Sequence, residues 1–417
     1  ANYEDATAAP TNYTMSEEDK ATFFNNSNYD PEAENNDADE MPTTGAKNGV
    51  KLADLRGLDY EDAKWDELLD ELTVSDMDML IALGGYQTSA ASSVGKVMTV
   101  DCDGPASINN NFTGTGSIGF PSAVMIANTW NKDLALSFGE SIGKMADEMD
   151  VSGWYAPAMN THRNAFAGRN FEYYSEDGVL SGKMAANAVI GAEKYGVYAY
   201  IKHFALNDQE TNRTGMLCTW SNEQAIREIY LKPFEIAVKE GHAYSIMSTY
   251  GPINGIWTAG NYDLLTTILR KDWGYQGVVM TDWWAKMNEE GEEGSQSNTI
   301  PMVRAQNDVY MVVSDSASNS ANDNTMEGLA DGRLTRGQLV RNAKNICHFL
   351  MRSPVMNRFC DREFDVCEEI NNPAKDAMAG NLIASQKVEK ETKLDLTKLS
   401  TQKGVRAGYL LDVSKAG

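Results

Sequence analysis

Between residues 97 and 313 the chain alternates six short runs rich in β-branched and aromatic residues with longer stretches of helical period, and this limits its possible folds more than any other feature. The runs are 97–101 (VMTVD), 151–157 (VSGWYAP), 197–204 (VYAYIKHF), 243–250 (AYSIMSTY), 277–282 (GVVMTD) and 308–313 (DVYMVV). Strands separated by helices form βα units and a parallel sheet. Six or more such units over about 300 residues favour a TIM-type barrel over a doubly wound sheet. Nearly every run ends in chemically capable residues: Asp103, Asn160, Lys202-His203, Tyr250 and Asp282. In a barrel those ends meet on one face, where active sites are built.

The helical stretches are equally legible. Leu134, Phe138, Ile142, Met145 and Met149 share one face, as the 3.6-residue period requires. Residues 179–193 follow Ser175 and two acids, a good helix start. Ile226, Ile229, Phe234, Ala237 and Val238 predict another helix closed by Gly241, and 264–271 and 339–350 two more. The expected fold is therefore α/β, a (β/α)8 TIM-type barrel, regular or irregular, over residues 49–353. Residues 1–48, polar and acidic, read as a linker or arm, and 354–417 as an extension entering a β-sandwich that is completed elsewhere.

Charge narrows the partners. Lysine plus arginine number 36 against 60 aspartates and glutamates, a net charge of −24. Such a surface repels phosphate backbones and anionic headgroups, and a neutral substrate suits it best. No apolar run reaches the roughly 20 residues of a membrane helix. Five scattered cysteines and four histidines show no metal spacing, so a zinc hydrolase is not expected. Only Cys360 and Cys367 are near enough in sequence to suggest a local bridge. Gly114, Gly116 and Gly119 match GxGxxG but run into Phe120-Pro121, and are read as a flexible loop rather than a dinucleotide site.

Asp282 closes an apolar run and precedes Trp283-Trp284. A carboxylate there is commonly a helix N-cap. At a barrel mouth, beside aromatic platforms and the charges of Asp103, Arg169, Lys202, His203 and Arg213, it suits sugar chemistry. Four segments make this specific: 103–105 (DGP), 168–177 (GRNFEYYSED), 202–213 (KHFALNDQETNR) and 278–283 (VVMTDW). Together, in this order, they resemble the β-glucosidase branch of glycoside hydrolase family 3, over about residues 70–350. The resemblance implies a barrel releasing glucose from nonreducing ends of β-glucosides with retention. Asp282 would be the nucleophile. Asp103, Arg169, Lys202, His203 and Arg213 would grip sugar hydroxyls, Tyr250 would flank the nucleophile, and Trp283 would form a platform.

Two departures stand out. Many relatives carry arginine six residues after the first aspartate, where this chain has Asn109. The branch's acid/base glutamate lies on an α/β-sandwich domain that is not found here, and the KHFPGHG-type run of the other branch, which uses a histidine–aspartate pair within the barrel, is absent too, the run here being KHFALND. The expectation is a barrel half whose companion chain carries the sandwich domain and the acid/base glutamate. The opening Ala1-Asn2-Tyr3 is read as the start of a processed chain, and the enzyme is expected to be secreted or periplasmic. A β-xylosidase and a non-hydrolytic sugar-binding subunit are the alternatives.

Overall fold

The computed structural model describes residues 42–351 except 111–113, 216, 290–292 and 312–321, together with the pair 16–17. The expected C-terminal extension, the Cys360–Cys367 pair and most of the N-terminal arm lie outside the described residues. The arm's last stretch rests on the barrel, where Gly45 and Ala46 donate to the Leu72 and Asp70 carbonyls at 3.0 and 2.8 Å.

Among the described residues the strands are β1 (Asp101–Cys102), β2 (Asn109–Asn110), β3 (Thr115–Gly116), β4 (Gly153–Trp154), β5 (Tyr198–Phe204), β6 (Ser245–Ser248), β7 (Pro252–Ile253), β8 (Ile256–Trp257) and β9 (Val278–Met280). β1, β4, β5, β6 and β9 lie side by side, all parallel. Beyond β9, Met280 pairs in parallel with Val309, and Met311 with Gly84. The ring closes when Asp101 N donates to Tyr86 O at 2.8 Å. Thr99 N donates to Thr88 O at 3.2 Å, so residues 86–88 run antiparallel to 99–101. The barrel is thus irregular. The chain reverses at Gly85 and Tyr86, whose φ angles are 119° and 57°.

Side chains of β5 divide between two cores, as a period of two requires. Tyr198 and Tyr200 join Tyr155 in one core, while Ala199 and Ile201 join the other with the helix residues Phe138 and Val189. The first group packs edge to face, with Tyr155–Tyr200 at 5.4 Å and Tyr198–Tyr200 at 5.5 Å. Outside the sheet, helix Lys132–Glu148 is capped by Asn131 and helix Gly178–Glu193 by Asp177. These two approach closely because Gly139 faces Ala188, and a Cβ at Gly139 would stand 2.0 Å from the Ala188 carbonyl oxygen.

Most predicted elements are found, with exceptions: run 308–313 gives only single bridges at Val309 and Met311, its last two residues lying outside the described residues. Runs 97–101 and 151–157 yield only two-residue strands. The helix expected across 226–238 is broken near Leu231, ahead of Lys232–Lys239. Pro233 stands in the first turn of that second piece, the place where its missing N–H costs least. The glycine-rich segment is not a free loop, since Thr115–Gly116 pairs back on Asn109–Asn110 as a hairpin. No helix among the described residues is long and apolar enough to cross a membrane.

Candidate active site

The C-terminal ends of the strands supply the site. Asp103 follows β1, Lys202 and His203 lie at the end of β5 just before Phe204, Tyr250 follows β6 and Asp282 follows β9. Asp282 is 4% exposed. Its Oδ1 accepts the Trp283 backbone N–H at 2.7 Å. Its Oδ2 makes no hydrogen bond among the described residues. Arg213 Nη1 lies 3.6 Å from Oδ2 and His203 Nε2 3.8 Å. Burial pushes the Asp282 carboxyl above the ordinary aspartate range, opposed by Arg213, the Trp283 N–H, Arg169 and Lys202. Tyr250 flanks it: burial first, then the Asp282 charge, holds that phenol protonated.

Seven charged side chains run through the site with alternating sign. Asp103 Oδ1 accepts from Lys202 Nζ at 2.8 Å, and Lys202 Nζ is 3.7 Å from Glu172 Oε1. Glu172 accepts two hydrogen bonds from Arg169, at 2.8 and 3.0 Å. Arg169 Nη1 lies 3.6 Å from Glu210 Oε1, and Glu210 Oε2 meets Arg213 Nε at 2.9 Å. Arg213 then faces Asp282. Each cation stands between two carboxylates, so none is left uncompensated where burial would penalise it.

His203 is 2% exposed. Burial, then Arg169, Lys202 and Arg213, hold its pKa well below the usual histidine value, so the ring is neutral. Arg169 Nη2 approaches its Nε2 at 3.2 Å, and the Tyr173 hydroxyl its Nδ1 at 3.2 Å. An arginine can only donate, so this contact is a hydrogen bond when Nε2 carries the lone pair and Nδ1 the proton. Asn160 fixes the backbone there, giving to His203 O at 2.8 Å and accepting from His203 N at 2.7 Å. Trp283 is half-buried between Tyr86 and Trp284, with centroids at 5.4 and 6.0 Å; Trp284 is the more exposed of the pair. Asn109 meets Asp103 through the backbone, each N–H donating to the other's carbonyl at 2.8 Å.

Asp103, Arg169, Lys202, His203, Arg213, Tyr250 and Asp282 therefore share one network, with Trp283 at its edge. Glu172, Glu210 and Tyr173 belong to it as well and were missed. The signal was present: Arg169/Glu172 and Glu210/Arg213 are oppositely charged residues three apart inside the two longest motifs.

The fold and site define a TIM-type barrel protein with a buried, carboxylate-centred, cation-ringed site at its strand ends. Residues 85–348 match the model of the glycosyl hydrolase family 3 N terminal domain. A β-glucosidase of Ruminococcus albus is 38% identical over 393 residues, covering 91% of this chain and 40% of its own. The structure of a β-glucosidase from Paenibacillus barengoltzii superposes with a TM-score of 0.69 at 42% identity, covering 76% of this chain and 35% of its own. That of β-glucosidase 3B from Thermotoga neapolitana in complex with glucose gives 0.63 at 33% identity, covering 79% and 46%. The chain belongs to glycoside hydrolase family 3. It spans less than half the length of each of these relatives.

Proposed function

We propose that this barrel carries the nucleophile and the sugar-gripping groups of a retaining, exo-acting β-glucosidase. The observation that carries the reading is the Asp282 carboxylate, buried beneath the strand ends with Oδ2 unbonded and cations around it. In this mechanism Oδ2 attacks the anomeric carbon, the aglycone oxygen departs with a proton, and a glycosyl ester remains on Asp282. Water then displaces the carboxylate from the opposite face, and two inversions give net retention. Arg169, Lys202, neutral His203 and Asp103 hold the sugar's hydroxyls, and charge-assisted hydrogen bonds of this kind strengthen as the oxocarbenium-like state forms. Asp103 supports glucose over xylose, because the matching family residue touches the O4/O6 side of the sugar.

The proton donor comes from elsewhere. Asp103, Glu172 and Glu210 are each tied to cations, which suits binding and not proton donation. A companion polypeptide or further domain of the α/β-sandwich kind supplies the acid/base in this reading. The test is proton NMR of the first sugar released from 2,4-dinitrophenyl β-glucoside, whose leaving group needs no proton. β-Glucose appearing first, then mutarotating, is expected. α-Glucose first would mean inversion, and binding without release would mean a sugar-binding subunit.

A further inference from the structure

Arg213 stands between two carboxylates, Asp282 and Glu210, at unequal distances. Asp282 Oδ2 and Arg213 Nη1 are 3.6 Å apart. Both are buried, and neither makes a hydrogen bond among the described residues. An arginine and a carboxylate this close would normally close to a hydrogen bond of about 2.8 Å. Something holds the guanidinium back. Its Nε is held by Glu210 Oε2 at 2.9 Å, and its plane lies over the Tyr250 ring at 4.6 Å. Glu210 is itself fixed: Asn207 Nδ2 donates to its Oε1 at 2.9 Å, and its backbone N–H bonds Ala167 O at 2.9 Å. A Cβ on Gly168 would stand 3.0 Å from Glu210 Cγ, so the side chain lies flat against the loop bearing Arg169.

We propose that Glu210 is a positioning residue that anchors Arg213 away from Asp282, leaving Oδ2 unbonded and nucleophilic while the arginine's charge keeps it ionised. This rests on Asp282 being the nucleophile. The charged and titratable groups facing Asp282 are Arg213, Arg169, Lys202 and His203, with the phenols of Tyr250 and Tyr86. Of these cations Arg213 is the one hydrogen-bonded to Glu210, at Oε2, while Arg169 Nη1 lies 3.6 Å from Glu210 Oε1. Without the Glu210 charge, Arg213 is free to bond Oδ2, which stabilises the carboxylate and dulls its attack.

The experiment follows inactivation of the full chain by 2,4-dinitrophenyl 2-deoxy-2-fluoro-β-glucoside against pH. This first step needs the nucleophile and no proton donor. Glu210→Gln is expected to move the acidic limb down by about one pH unit and to lower the plateau rate at least tenfold. Glu210→Asp, which keeps the charge, is expected to restore the limb to its original place. A limb unmoved in Glu210→Gln, with the variant folded by circular dichroism, would overturn the inference while leaving the nucleophile assignment intact. A limb that moves equally in Glu210→Asp would assign the effect to shape, not charge, and also overturn it. A wild-type chain that is never labelled at Asp282 would overturn both.

Discussion

Asp282 has to be ionised while buried, and its neighbours decide how far that succeeds. Burial raises its pKa and Arg213 is the strongest opposing group. The sign follows directly. The carboxylate is the reactive form, so inactivation and kcat/KM fall as pH drops through the raised pKa, earlier than an ordinary aspartate would allow. Arg213→Gln removes the main stabilising charge and is expected to move that limb up by about one unit, opposite to Glu210→Gln. Rate against pH for the two variants side by side checks both signs. At this scale the motifs made Asp103, Arg169, Lys202, His203, Arg213, Tyr250 and Asp282 legible. Glu172 and Glu210 left only the weaker signal of an acid three residues from an arginine, which looks like any surface pair until the arginine's other contacts are known.

The elements matter through where they end. β5 is the longest strand of the sheet and delivers Lys202 and His203 together. Helices Gly178–Glu193 and Lys232–Lys239 pack against it, and the first of these meets helix Lys132–Glu148 through Gly139. Gly139→Ala would drive a methyl into the Ala188 carbonyl and is expected to cost about 1–3 kcal/mol by overpacking. Thermal denaturation should show a lower Tm, while the acidic limb of the pH profile stays in place. Helices Lys132–Glu148, Gly178–Glu193 and Arg336–Met351 were legible because each runs for more than four turns, long enough for a helical pattern to repeat. The strands were legible as runs but not as lengths, since barrel curvature limits β1 and β4 to two residues of regular pairing. The closing segment 84–88 carries no strand-like run, and its reversal at Gly85 and Tyr86 depends on backbone geometry that composition does not reveal.

At the scale of the whole molecule, nucleophile and proton donor are separate matters. With Asp103, Glu172 and Glu210 each hydrogen-bonded to a cation and Asp282 reserved for attack, the barrel acting alone should depend steeply on the leaving group. Dinitrophenyl β-glucoside is expected to be turned over at least about a hundredfold faster than a methyl or cellobiosyl aglycone, as comparison of kcat/KM across a series of aglycones would show. A flat series would mean that a proton donor lies within these 417 residues. The net charge of −24 belongs to this scale too, and suits a neutral ligand.

As the nucleophile, Asp282 is predicted to become covalently glycosylated. Peptide mapping by mass spectrometry after treatment with 2,4-dinitrophenyl 2-deoxy-2-fluoro-β-glucoside tests this directly. One fluoroglucosyl unit on Asp282, absent in Asp282→Ala, is the predicted result. A label on another carboxylate, or an unlabelled chain that still hydrolyses the activated glucoside, would contradict it.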